Sequence, residues 1–133
     1  MKYRKNAAKY RKIQDKIANK HGIEKIKTIG DCYMAASGVP GAVENNAESM
    51  CEFAMNIMAK IPAICNKLNI DIGITIGINS GPVIAGVIGE NKFSYDLWGD
   101  AVNIASRLES FGDKRCINVS ESTFLKVKNL FPF

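Results

Sequence analysis

Nowhere in the 133 residues do the roughly eighteen consecutive apolar residues needed for a bilayer-spanning helix occur. The opening Met1-Lys2-Tyr3-Arg4-Lys5 is charged where a secretory signal would be apolar. These two lacks make the cytoplasm the expected address, either for a free domain or for part of a longer, membrane-tethered protein. Cys32, Cys51, Cys65 and Cys116 include no CxxC pair, and His21 is the single histidine that could complement them. The usual structural zinc patterns are therefore excluded, and free thiols in a reducing compartment are expected. No low-complexity tract is present, so a long disordered tail is excluded as well. What remains is ordinary globular composition, 47% hydrophobic and 23% charged, in a length that buries one modest core and makes a single domain over residues 1–133.

The net charge of +5 raises the question of nucleic acid. Much of the excess lies in the first 27 residues, from Lys2 and Arg4 through Lys25 and Lys27. There Tyr3, Ala7, Tyr10, Ile13 and Ile17 fall near one helical face, and lysine and arginine cover much of the rest. A solvated basic face on a packed helix explains this better than a nucleic-acid patch. Residues 1–22 thus read as a basic helix ended by His21-Gly22, and residues 23–133 as the core of the domain.

Ile23, Ile26 and Ile29 recur every third residue, a spacing that matches neither the helical nor the strand period. Flanking glycines and β-branched content favour a strand, and Cys32 to Ala36 resumes an extended pattern after Gly30-Asp31. The two make a hairpin with Asp31 at its tip. From Val43 a helix is expected, with Pro62 bending or restarting it near its end. Ile70 to Ile78 alternates isoleucine with small or polar residues, and Asn79-Ser80-Gly81-Pro82 turns the chain into Val83 to Gly89, a strand expected to pair antiparallel with it. Phe93 to Trp98 is a third extended piece. The helix opening at Gly99-Asp100 has Val102, Ala105 and Leu108 as its apolar stripe and places Asn103 and Arg107 four residues apart on another face. A short strand, Ile117 to Val119, and a helix capped by Ser120 or Ser122 follow. The order implies an α+β fold with a largely antiparallel sheet.

Three segments carry a family resemblance. EKIKTIGDCYMAASG (24–38), GINSGPVIAGVIG (77–89) and FSYDLWGDAVNIASRLES (93–110) resemble, in order and spacing, the signatures of the class III adenylyl and guanylyl cyclase catalytic domains. The resemblance implies a ferredoxin-like, palm-type fold with helices packed on the sheet. It also implies an enzyme that cyclises a nucleoside triphosphate with two Mg²⁺ or Mn²⁺ ions, in which Asp31 is a metal ligand. Adenine offers an N6 donor and an N1 acceptor, whereas guanine reverses both. By resemblance Lys27 donates to N1 and Asp96 accepts from N6, the adenylyl-type pair, which makes ATP the substrate and cyclic AMP the product. Asn103 and Arg107 match the pair that orients the ribose and stabilises charge on the phosphate.

In this family two domains pair head to tail, one supplying metal ligands and the other the base-reading and Asn/Arg residues. This chain carries examples of both sets, which implies a homodimer, or a heterodimer with another cyclase domain. The strand and loop F-x-D-I-x-G-F-T, which bears the family's other metal aspartate and normally comes first, has no match before Lys25. The first strand is therefore expected to be missing and the chain to begin late in the domain. Lys126 and Lys128 are weak candidates for a further phosphate-contacting lysine. The competing reading is a non-catalytic nucleotide-binding or dimerising module that regulates an intact cyclase; a diguanylate-cyclase relative is disfavoured because no Gly-Gly-Asp/Glu-Glu-Phe signature occurs.

Overall fold

The computed structural model describes residues 2–39, 41–92 and 94–133, with the side chains of the first helix described from Tyr10 onward. The elements follow in the order α1 (Lys2–Lys20), β1 (Glu24–Ile29), β2 (Cys32–Ala36), α2 (Asn46–Leu68), β3 (Ile76–Ile78), β4 (Ile84–Ile88), β5 (Ser94–Trp98), α3 (Asp100–Phe111), β6 (Ile117–Val119) and α4 (Glu121–Val127). The fold is α+β, as expected.

Helix α1 stops at His21-Gly22, where Gly22 takes the positive φ of 68° that favours glycine after a helix. Tyr10, Ile13 and Ile17 turn inward against Ile23, Phe53 and Ile57, while Tyr3 and Ala7 lie outside the described side chains. Strands β1 and β2 form the expected antiparallel hairpin, with Ile29 opposite Cys32. Its register shifts between Lys25, opposite Ala35, and Lys27, opposite Met34. Ile26 is thus the extra residue of a β-bulge, and the shift explains the three-residue recurrence of isoleucine: Ile23 is in the core, whereas Ile29, past the bulge, is exposed.

Helix α2 starts at Asn46 rather than Val43 and runs through Pro62 to Leu68, closing on Asn69, whose N–H bonds to the Cys65 carbonyl. It does not restart at the proline. Pro62 is exposed, so the carbonyl one turn back that loses its donor can turn to water. Ala47, Cys51, Phe53, Ala54, Ile57 and Ile64 make the buried stripe. Ala47, Cys51 and Ala54 meet Ile78 and Val127 in a second cluster, which adjoins the first at Met50.

The long isoleucine run behaves differently from expectation. Only Ile76–Ile78 is strand, and it pairs in parallel with β6, Ile76 opposite Ile117. The expected antiparallel partner, β4, pairs with β5 instead, Ile84 opposite Trp98. The link between β3 and β4 explains the correction, because its polar side chains are committed to helices. Asn79 donates to the Ala101 carbonyl at 3.0 Å and accepts from Ser122 at 3.1 Å, and Ser80 and Thr123 hydroxyls meet at 2.9 Å. The link is a strut to α3 and α4 rather than a hairpin turn. The described strands form three two-stranded sheets, two antiparallel and one parallel. Phe93, at the start of the expected third extended piece, lies outside the described residues.

Helix α3 lies directly on β3 at Gly77. A Cβ there would run into the Ala105 carbonyl oxygen and the Glu109 amide nitrogen, both backbone atoms. Gly77→Ala is therefore expected to destabilise the chain by about 1–3 kcal/mol, read as a lowered midpoint in urea. An unchanged midpoint would mean that α3 can lift from the strand without loss.

Candidate active site

The hairpin β1–β2 carries two of the expected site residues. Lys27 lies in β1, and Asp31 occupies the two-residue loop after Gly30, whose φ of 57° suits a glycine at the first loop position. Alternation along a regular strand would put Lys25 and Lys27 on the same side. The bulge at Ile26 separates them. Lys25 reaches Asp15 of α1 at 3.3 Å, whereas Lys27 Nζ reaches Asp96 Oδ2 of β5 at 2.8 Å.

Asp96 is buried, with its side chain 11% exposed against 39% for Lys27. Its other oxygen, Oδ1, accepts the Leu97 N–H at 2.8 Å. The Lys27 hydrogen bond, then the Leu97 N–H, hold the carboxyl below the usual carboxylate range against the opposing effect of desolvation. An ionised carboxylate is therefore fixed beside an ammonium group, and the two present an acceptor and a donor together.

Asp96 lies in the strand immediately before α3, which carries Asn103 and Arg107. Both are exposed, and their four-residue spacing puts them on one helix face. The Arg107 side chain lines a shallow cleft with Ile104, Leu108 and Phe111. Among the described residues no hydrogen bond or ion pair joins Asp31, Asn103 or Arg107 to the Lys27–Asp96 pair. The chain brings Lys27 and Asp96 into direct contact, and Asp31, Asn103 and Arg107 take no part in that contact.

No three His, Cys, Asp or Glu side chains among the described residues gather as a metal cage. Asp31 is a single exposed carboxylate. Such a hard oxygen fits Mg²⁺ or Mn²⁺ that shares its remaining positions with nucleotide phosphates and water. All four cysteines are free thiols, and burial raises the Cys51 thiol further from ionisation. Among the described residues no helix is long and apolar enough to cross a membrane.

One group of residues escaped the sequence reading. Asp15 accepts the Tyr33 hydroxyl at 2.9 Å as well as pairing with Lys25, and the Arg11 guanidinium donates to the Gly30 carbonyl. Arg11 and Asp15 are four residues apart on α1. That spacing was visible within the basic segment, but one acid among many bases reads as a solvated pair.

Comparison with known proteins identifies the family of the chain. The family model described as the adenylate and guanylate cyclase catalytic domain matches residues 3–132. An adenylate cyclase of Mycobacterium tuberculosis is 37% identical over 117 residues, covering 88% of this chain and 26% of that protein. A germination-specific adenylate cyclase of Dictyostelium discoideum is 44% identical over 123 residues, covering 90% and 14%. The guanylate cyclase domain of RhGC from Catenaria anguillulae, solved in complex with GTP, superposes with a TM-score of 0.88 at 38% identity, covering 94% of this chain and 69% of that one. The chain thus spans about a quarter or less of the two curated relatives. Its fold and its sequence, over nearly its whole length, make it a member of the adenylate and guanylate cyclase catalytic domain family.

Proposed function

We propose that the chain is an adenylyl-type cyclase domain, which forms 3′,5′-cyclic AMP and pyrophosphate from ATP at the interface of two such domains. The observation that carries the reading is the Lys27–Asp96 pair at 2.8 Å. Relatives act on either nucleotide by name, so membership alone leaves the base open. A lysine donor beside an ionised acceptor matches adenine N1 and N6. Guanine would set its N1–H against the ammonium and its O6 against the carboxylate.

In the reaction the ribose 3′-hydroxyl loses its proton, its oxygen bonds to the α-phosphorus, and the bond from that phosphorus to the pyrophosphate oxygen breaks. Asn103 orients the ribose, and Arg107 meets the charge that grows on the α-phosphate. Asp31 would help to hold divalent ions, which when bound would neutralise phosphate charge and ease loss of the 3′ proton.

A homodimer, or a heterodimer with another cyclase domain, supplies the composite site. Ile84 and Ile88 of β4, 71% and 49% exposed, share one face of the β4–β5 ribbon with Trp98 of β5, 41% exposed and opposite Ile84, and give an apolar surface suited to such pairing. The second reading is a nucleotide-binding module without turnover. ATP binding without cyclic AMP in any pairing would select it.

Calorimetry is expected to show tighter binding of ATP than of GTP, and equal affinities would sink the base assignment. Exchanging Lys27→Glu together with Asp96→Cys should lower the ATP-to-GTP affinity ratio by about tenfold or more, since mismatched buried donors and acceptors each cost about 1–3 kcal/mol. No change in the ratio would remove both residues from base recognition.

A further inference from the structure

We infer that Arg11 of α1 is a positioning residue for Asp31, a role that rests on the reading of Asp31 as a metal ligand. The loop between β1 and β2 has only two residues, Gly30 and Asp31. Ile29 and Cys32 pair directly beneath it, but its first residue lacks a Cβ and sits at φ 57°, so the Gly30–Asp31 peptide rotates more readily than one between two residues with side chains. The Gly30 carbonyl belongs to the same planar unit as the Asp31 amide nitrogen. A group that holds this carbonyl therefore holds the plane from which the Asp31 side chain springs. Arg11 does so across 19 residues of sequence.

The rest of the same helix face supports a built anchor. Asp15, one turn further along α1, ties down both strands below the loop, β1 through Lys25 at 3.3 Å and β2 through the Tyr33 hydroxyl at 2.9 Å. Lys25 also lies 5.5 Å from the centre of the Tyr33 ring, within cation–π range. Asp15 holds the stem and Arg11 holds the tip, so two side chains of α1 fix the hairpin at three points. Asp31 itself is exposed and, among the described residues, takes part in no hydrogen bond or ion pair. Its direction is set by its backbone alone. Because the guanidinium is committed to a carbonyl and not to the Asp31 carboxylate, it positions the ligand without neutralising it.

The test uses the 133-residue chain with two readouts. Amide exchange across residues 29–33 is measured with no metal present, and binding of Mn²⁺ with 3′-deoxy-ATP, which lacks the attacking oxygen, is measured by electron paramagnetic resonance. Arg11→Met keeps the stem and removes the donor. It should raise exchange at the hairpin tip several-fold and weaken Mn²⁺ by about tenfold, the scale of one lost charge-assisted hydrogen bond. Exchange in α2 and α3 should stay unchanged. Arg11→Lys should recover part of both effects, which a merely structural loss elsewhere in α1 would not do. Asp31→Asn is the control for the metal reading. Unchanged Mn²⁺ affinity in Asp31→Asn removes the metal from Asp31 and the proposed role with it. Weakened Mn²⁺ in Asp31→Asn, alongside wild-type exchange and affinity in Arg11→Met, overturns the role of Arg11 alone.

Discussion

Mixed with a full-length cyclase domain whose own Asn/Arg pair has been disabled, the 133-residue chain is expected to restore cyclic AMP formation at least about a hundredfold above what either protein makes by itself. The mutant partner brings both metal-type aspartates of the family. The chain brings Lys27, Asp96, Asn103 and Arg107. By itself the chain offers one such aspartate, Asp31, and Mg²⁺ releases its waters reluctantly, so a single carboxylate holds two ions poorly. Losing one preorganised charge at the phosphates should cost several kcal/mol in the transition state, with about 1.4 kcal/mol for each tenfold in rate. The assay is cyclic AMP formation with Mg²⁺ and with Mn²⁺. Brisk turnover by the chain alone would show that another group does the work of the second aspartate.

Helix positions were legible because their determinants are local. The α1 stop at Gly22 and the Ser120 cap, which accepts the Thr123 N–H, need only a few neighbouring residues. Strand pairing was not, because partners are chosen over long range. The run from Ile70 alternates well enough for a strand, yet residues 70–75 have no strand partner among the described residues, and β3 takes one from β6, about forty residues later. Nothing in the spacing of Asn79 and Ser80 announced that their side chains would be spent on α3 and α4.

The candidate site divides along the same line. Lys27, Asp31, Asp96, Asn103 and Arg107 stood out because they fall inside motifs. The reason Lys27 faces Asp96 rather than Asp15 is the bulge at Ile26, which the sequence disclosed only as an awkward three-residue period. The anchor made by Arg11 and Asp15 depends on α1 lying across the hairpin, a tertiary contact with no local signature.

In the same mixed assembly, Arg107→Ala should lower kcat by about a hundred- to a thousandfold, the scale of losing a donor aimed at charge that develops in the transition state. KM for ATP should move little, because an interaction made mainly in the transition state leaves ground-state binding almost intact. The loss cannot come from unfolding if the expected stability holds. Arg107 is exposed on α3 and, among the described residues, its side chain makes no hydrogen bond or ion pair, so truncating it should shift stability by about 0.5 kcal/mol or less. Arg107→Lys is expected to recover part of the rate, since it keeps the charge but loses the planar fork that meets two phosphate oxygens at once. Steady-state kinetics over a range of ATP concentrations separates the alternatives. A rise in KM with unchanged kcat would place Arg107 on the ground-state phosphates, and wild-type values of both would remove it from the site.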